Sequence, residues 1–300
     1  MTYAQLMGHL FDIQTAFTRY HKGWYYIWMR YCVAPRILWT TRPIEKPETH
    51  SNLSMHTLCR HGSVIRMLWA MSSFYAVSET IGSLTIHNDG TLTPSELELI
   101  KRVIPGVRIV RKEDLTAEAE RVFAKYPHVL AFFKTSLWQA RKLLHPYLVS
   151  QRPCMMQLES DILWFKKPDF LKEALAKDFP KPFAMSNNEP CPVPFADGTE
   201  LDPHLSMMNS GFMLYHKTDF SLDRLEAYLI HTGASKNHFI EQGGYASAFG
   251  DFQELPENLY TIKGTNEEDA IMRHYTGPVR GKYFIRGIPY LLKNSLRVRN

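Results

Sequence analysis

The chain has 300 residues, 45% of them hydrophobic and 22% charged, which permits a substantial core and excludes a disordered chain. Its net charge of +5 is mild, and its Lys and Arg residues are spread along the chain, so nucleic acid is not expected as a partner. An anionic small molecule or an anionic membrane surface stays compatible with that charge. The four cysteines, Cys32, Cys59, Cys154 and Cys191, show neither C-x-x-C pairing nor zinc-finger spacing and read as buried, reduced thiols. No charged start followed by an apolar core opens the chain, so a signal peptide is not expected. No stretch reaches the roughly 18 uninterrupted apolar residues of a transmembrane helix.

Residues 1–50 read as a helical extension and linker, distinct from a main domain over 51–300. "FTRYHKGWYYIWMRYCVAPR" is crowded with aromatic and basic residues, and "TTRPIEKPETHSN" reads as a Pro-containing linker. The favoured expectation is a helix or helical pair packed on the main domain through Trp24, Tyr25, Trp28 and Met29. The competing one is an interfacial segment, with Trp and Tyr at headgroup depth and Arg19, Lys22 and Arg30 facing anionic lipid.

From Leu53 strand and helix patterns alternate. "LSMHTLC" predicts a strand, "SVIRMLWAMSSFYAV" a helix whose Met67, Trp69 and Met71 belong to the core, and "SLTIHND" a strand closed by Asn88-Asp89-Gly90. Thr93, Pro94 and Glu96 form a helix start, with Thr93 as N-cap and Glu96 completing a capping box. "VRIV" is a further strand, and helical segments then run to residue 148. "CMMQLESDILWF" reads as a central strand. "PFAMSN" and "SGFMLYH" follow, then a helix from Ser221 to the stop at Gly233 and another around "FIEQGGYASAF". Such alternation predicts an α/β fold with a mostly parallel sheet covered by helices on both faces. Ligands of such sheets bind at the carboxyl ends of the strands, near a topological switch point.

Glu159 and Asp161 sit at that kind of end. Two carboxylates on one face repel unless a cation or a shared proton lies between them. Oxygen ligands of this kind suit Mg²⁺ or Mn²⁺ together with a phosphorylated ligand. A solvated strand end, or an acid paired with a neighbouring Arg or Lys, is the alternative that these residues alone leave open.

Other stretches add a family context. "LESDILWFKKP" is similar to the strand of GT-A glycosyltransferases in which an Asp-x-Asp holds the metal of a nucleotide sugar. "MMNSGFMLYHK" resembles the F-N-S-G-V-M-L strand of the glycogenin-like branch. "RHYTGPVR" resembles that branch's H-x-x-G-x-(K/R) element, and "FIEQGGYASAF" falls where the family carries an acidic-Gln pair opening a helix. The resemblance runs from about Leu53 to Tyr290 and is carried by the order and spacing of these stretches together.

The resemblance implies a GT-A-like hexosyltransferase of bacterial type, leaning to the retaining branch. Asp161 would be the principal ligand of Mn²⁺ or Mg²⁺, Glu159 would stand at the first Asp position, and His274 would be the distal ligand. Arg280 would neutralise the diphosphate, and Lys142, in "ARKLLHPYL", would help hold the donor. Asn209 and Gly211 would line the sugar pocket, and Glu241 and Gln242 would meet the acceptor or the reacting face of the sugar. Arg60, His87 and Ser160 complete the expected donor set. The donor is expected to be a nucleotide sugar, with UDP as its nucleotide. The acceptor is expected to be a glycan, a lipid-linked sugar or a small molecule. The expected setting is the cytoplasm, with peripheral contact at the inner face of the membrane left open.

No P-loop, dinucleotide fingerprint, nucleophile elbow or H-E-x-x-H occurs in the sequence. Two alternatives remain open to the sequence. One is a non-catalytic sugar-nucleotide binder or scaffold. The other is a nucleotidyltransferase, which the glycine-poor "LCRHGSVIR" disfavours.

Overall fold

The structure, a computed structural model, describes residues 3–40, 43–44, 48–187, 189–191, 201–232, 239–264 and 266–294. The main sheet is built from β1 (Leu53–Cys59), β2 (Ser83–Asn88), β3 (Arg108–Val110), β4 (Cys154–Leu158), β6 (Phe183–Ser186), β7 (Met208–His216) and β8 (Gln253–Glu254). A three-stranded sheet holds β5 (Ile162–Trp164), β9 (Tyr260–Thr261) and β10 (Met272–His274).

The seven strands lie in the order β3-β2-β1-β4-β7-β6-β8. β1, β2, β3 and β4 run parallel, and β7 runs antiparallel to both β4 and β6. The chain steps outward from β1 to β3, then returns to lay β4 on the other side of β1. The strand order therefore reverses between β1 and β4, and a crevice opens at their carboxyl ends. Burial explains the composition of these strands: β4 is buried throughout and β7 along all but its last residue, so near-continuous apolar runs replace alternation.

Helices cover both faces. Val64–Val77 packs one face with Met67, Leu68, Trp69 and Met71, all buried as the helical spacing predicts. The helices Trp138–Val149, Leu222–Thr232 and Ile240–Phe249 cover the other. The expected capping box forms: Thr93 Oγ1 accepts the Glu96 N–H at 3.3 Å, and Glu96 returns a carboxylate oxygen to the Thr93 N–H at 2.9 Å. The expected stop at Gly233 lies outside the described residues.

The "CMMQLESDILWF" stretch, expected as one central strand, is not one strand. β4 ends at Leu158, the chain turns through Glu159-Ser160-Asp161, and β5 leaves the main sheet to pair antiparallel with β10. The turn leaves Glu159 half-buried and Asp161 buried at the strand end, where both line one crevice.

Residues 3–40 fold as helices, and their inward face joins the main core through Ala16, Tyr26, Met29, Ala34 and Ile37. The expected anchors are corrected here. Met29 is buried, but Trp24, Tyr25 and Trp28 face outward, and Tyr26 takes their place against Phe284. Cys32 likewise is exposed, whereas Cys59, Cys154 and Cys191 are buried. Among the described residues no helix is long and apolar enough to cross a membrane.

Beneath the sheet lies a buried histidine cluster. His56 Nδ1 is 3.1 Å from His87 Nε2, His56 Nε2 is 3.0 Å from Ser54 Oγ, and His145 packs edge-on to His87. Burial pushes His56 and His145 down to about 3 and His87 well below its ordinary range. These rings are neutral in the folded chain but take protons near pH 6.5 once unfolded, so the stability they allow is complete above that pH and declines below it. Each histidine should cost about 1.4 kcal/mol per pH unit below roughly 6.5. Urea unfolding should show a midpoint that falls steeply between pH 6.5 and 4. A flat midpoint over that range would contradict this account.

Candidate active site

The site starts from the turn after β4. The Glu159 N–H donates to the Gly211 carbonyl of β7 at 2.9 Å, and the Asp161 carbonyl accepts the Tyr275 N–H at 2.9 Å. The turn is thus pinned between β7 on one side and the end of β10 on the other. Because β10 pairs with β5 in the register His274 opposite Ile162, the imidazole arrives one residue from Asp161.

His274 Nε2 lies 2.7 Å from Glu159 Oε2 and 3.2 Å from Asp161 Oδ1. Its other nitrogen, Nδ1, is 3.0 Å from Asn209 Oδ1, an acceptor that calls for the Nδ1–H tautomer. Asn209 is itself held, donating from Nδ2 to Asn187 Oδ1 at 2.7 Å and accepting the Gly211 N–H at 2.9 Å. Asn209 therefore aims the Nε2 lone pair at the two carboxylates, as the outer partner of a metal-bound histidine does.

Gly211 is what lets that imidazole in. A Cβ on it would stand 2.3 Å from His274 Nδ1 and 2.7 Å from Asn209 Oδ1. The Gly211→Ala variant should therefore displace His274 and weaken divalent-metal affinity by about 10- to 100-fold. Metal titration calorimetry on a variant that still gives the native circular dichroism spectrum checks this; unchanged affinity would contradict it.

Glu159, Asp161 and His274 bring one ligand atom each to within 4.8 Å of one another. Two carboxylates and a neutral imidazole are a donor set for Mn²⁺ or Mg²⁺, the nitrogen favouring Mn²⁺. His274 Nε2 stands within 3.2 Å of an oxygen of each carboxylate, so the three ligand atoms converge on one point. The residues fit a divalent cation. Without one, burial disfavours the imidazolium, but Asp161 and Glu159 outweigh it and hold His274 up at about 9. Burial acts to raise Asp161, yet His274, Arg280 and Arg66 pull its carboxyl well below the usual range.

Behind the acid pair stands Lys142, on the helix Trp138–Val149, with a side chain only 1% exposed. Its ammonium donates to Glu159 Oε1, to Ser210 Oγ at 2.8 Å and to Glu241 Oε1 at 3.0 Å. Ser210 Oγ donates in turn to Glu241 Oε1 at 3.0 Å. Burial works to neutralise Lys142, and the two carboxylates overcome it and raise its proton affinity. Burial raises Glu241, against the pull of Lys142, and Glu241 Oε2 has no hydrogen-bond partner among the described residues. The pairing of Glu159 with a neighbouring cation, one of the readings that the sequence left open, is thus present beside the metal-ligand geometry.

The crevice in front of these groups is lined by Arg60, Ser63, Arg66, Trp138, Gln157, Ser160, Thr276 and Arg280, with Lys142, Glu159 and Asp161 at its floor. Arg280 Nε stands 3.6 Å from Asp161 Oδ2. Among the expected residues, Arg60, Lys142, Glu159, Ser160, Asp161 and Arg280 meet here, and His274 and Asn209 adjoin them. Glu241 reaches the site through Lys142, and Gln242 is buried at the next position of the same helix. His87 does not line the crevice: it is fully buried at the end of β2, stacked on His56.

Arg66, Ser210, Asn187 and Trp138 escaped the reading of the sequence. Arg66 alone carried a signal, a lone cation in the apolar run "VIRMLWAM", where a charge is rare unless it is paired. It is buried, with Asp161 the leading group favouring its charge.

No family model matches the chain, and no curated protein matches it. Solved structures do resemble it. The bifunctional glycosyltransferase WbbM superposes with a TM-score of 0.51 at 11% identity, covering 78% of this chain and 47% of that one. The galactosyltransferase LgtC, in complex with donor and acceptor sugar analogs, gives 0.50 at 12% identity, covering 75% and 87%. Mouse xyloside xylosyltransferase 1 gives 0.47 at 13% identity, covering 75% and 96%. The chain has the fold of GT-A glycosyltransferases, a mixed α/β sheet flanked by helices. At these identities the likeness is one of fold.

Proposed function

We propose that this protein is a metal-dependent glycosyltransferase that moves a sugar from a nucleoside-diphosphate donor, UDP in the first instance, to a hydroxyl group. The observation that carries the reading is the convergence of Glu159, Asp161 and His274 on one point, facing a crevice edged by Arg60, Arg66 and Arg280. Fixed carboxylates and an imidazole on one side, with guanidinium groups on the other, form a cradle for a cation and the diphosphate it accompanies.

Asp161, Glu159 and His274 would hold Mn²⁺ or Mg²⁺, which supplies Lewis-acid stabilisation of the leaving diphosphate. Arg280 and Arg66 would add charge-assisted hydrogen bonds to the diphosphate oxygens as negative charge grows there. Arg60, at the end of β1, and Ser160, in the acid turn, complete the donor side. Lys142 holds Glu159 and Glu241 in place from behind. The acceptor hydroxyl forms its bond to the anomeric carbon while the bond from that carbon to the diphosphate oxygen breaks. The acceptor's proton leaves with the nucleoside diphosphate.

Retention of configuration is the stereochemistry we favour. An inverting enzyme needs a carboxylate free to take the acceptor's proton, and among the described residues the acids lining the crevice are the two ligand candidates. Glu241 stands behind Lys142 and Ser210, and Asn209 is committed to His274. A glycan, a lipid-linked sugar or a small molecule is the acceptor class.

One observation favours a second reading. Lys142 already pairs with Glu159, as in a binder that holds a sugar nucleotide without productive metal. The test uses a panel of nucleoside-diphosphate sugars with Mn²⁺, Mg²⁺ or EDTA, read by thermal shift and by release of nucleoside diphosphate. A ligand at 100 times its Kd adds about 2.7 kcal/mol of stability. A metal-dependent shift with nucleoside diphosphate released supports the transferase. A shift without turnover of any donor supports the binder. Pyrophosphate as the product supports a nucleotidyltransferase, and no shift with any nucleotide removes the donor site altogether.

A further inference from the structure

Among the described residues, large apolar side chains are exposed almost entirely in one part of the molecule. Of the ten described residues of this kind, eight lie between residues 7 and 31: Met7, Leu10, Phe11 and Phe17, then Trp24, Tyr25, Trp28 and Tyr31. Trp24 is 77% exposed, Phe11 57% and Trp28 51%. The first four recur at helical spacing along one side of the helix Tyr3–Thr18, opposite the buried Asp12 and Ala16. The second four recur along the outer side of residues 23–33, opposite Gly23, Tyr26, Met29 and Arg30. Phe17 and Trp24 meet edge to face with centroids 5.5 Å apart, so the two stripes join.

The inner side of the same segment is specific and well packed. Arg30 is buried between Tyr26 and Asp12, donating to Asp12 at 3.1 Å, and Tyr26 packs on Phe284. The outward aromatics are therefore not the result of a segment that failed to dock. It docks by one face and presents the other.

Charge says what that outer face fits. Residues 3–40 contain four cations, Arg19, Lys22, Arg30 and Arg36, and a single acid, Asp12. Arg30 neutralises that acid in the interior, while Arg19 and Lys22 stand exposed between the two aromatic stripes. The outer face is thus apolar, rich in Trp and Tyr, cationic and without an exposed acid. We propose that it docks on an anionic lipid surface, with Trp24, Tyr25, Trp28 and Tyr31 at headgroup depth and Arg19 and Lys22 against lipid phosphates.

A second copy of the chain fits less well. A two-fold interface through this face would bring together Arg19 and Lys22 of both copies, while the one acid of residues 3–40, Asp12, is buried and already paired with Arg30. Contact with lipid also has a consequence for geometry. Tyr20 packs on Gly281, next to Arg280 of the crevice, so the docked face and the crevice share the segment that follows β10.

The test is co-sedimentation of the full chain with vesicles of phosphatidylcholine alone and of phosphatidylcholine mixed equally with phosphatidylglycerol. Each cation near an anionic surface contributes about fivefold to partition, so Arg19 and Lys22 predict a preference of at least about tenfold for the mixed vesicles, weakened by salt. Trp24→Ser with Trp28→Ser should lower binding to the mixed vesicles by about tenfold or more. Arg19→Gln with Lys22→Gln should remove the preference for anionic lipid. Both variants change exposed residues only and should keep the parent's melting temperature and nucleotide response. Binding that ignores these substitutions, or is equal for both vesicles, overturns the proposal. So does a vesicle-independent dimer that the Trp substitutions dissociate, which would assign the face to a second copy.

Discussion

Asp161→Asn is expected to reduce sugar transfer by at least about a thousandfold and to abolish the metal-dependent part of any nucleotide-induced thermal shift. The substitution keeps size and shape but removes the charge that faces His274 Nε2 at 3.2 Å and Arg280 Nε at 3.6 Å. Glu159 cannot make up the loss, because its other oxygen is engaged by Lys142. The measurement is release of nucleoside diphosphate with saturating Mn²⁺, beside a melting curve showing that the variant folds. Activity above about a tenth of the parent would sink the assignment of Asp161 as the principal ligand. A folded variant that binds the nucleotide as the parent does, with and without EDTA, would sink the metal site as a whole.

The second large effect concerns stability. Lys142→Met is expected to destabilise the chain by about 3–5 kcal/mol, because it leaves Glu159 and Glu241 without the cation buried between them. For a chain of 300 residues that is a fall in Tm of roughly 5–8 °C. Adding Glu241→Gln should recover part of the loss, since an amide at that position carries no charge to bury, and Ser210 still donates to its oxygen. If Lys142→Met melts with the parent, Lys142 is not the hub of the network described here. If the double variant is less stable than the single one by the full cost of Glu241→Gln in the parent, the two residues are not coupled.

The two predictions separate roles that share one small volume. Asp161 faces the crevice and should govern chemistry with little cost to the fold. Lys142 faces the acids from the core side and should govern the fold first. A transferase in which both substitutions acted alike would have a site whose metal pole and structural pole are not distinct.

Some of this was decided by sequence alone, because the physics concerned is local. The strands at Leu53–Cys59 and Ser83–Asn88 and the helix at Val64–Val77 follow from short-range periodicity and stood where expected. The capping box at Thr93 and Glu96 spans three residues and needs no tertiary context. The order of the acid turn, the Asn-Ser-Gly strand and the C-terminal His could also be read along the chain, and it led to the fold.

What needed the tertiary structure depends on partners far apart in sequence. That β4 stops at Leu158 is settled by β7 and β10, which capture the turn through Gly211 and Tyr275. That Lys142 bridges two acids depends on a helix crossing behind the sheet, 17 residues from Glu159 but 99 from Glu241. Gly211 read as room for a ligand, yet what lies against it is His274, placed there by strand pairing. His87 read as a crevice residue because it ends a strand, but the side chain points beneath the sheet, to His56. The N-terminal segment shows the limit most directly. Its aromatic content was plain, but which aromatics are buried depends on where Phe284 and the main core lie, and they selected Tyr26 and Met29 and left Trp24 and Trp28 to the outside.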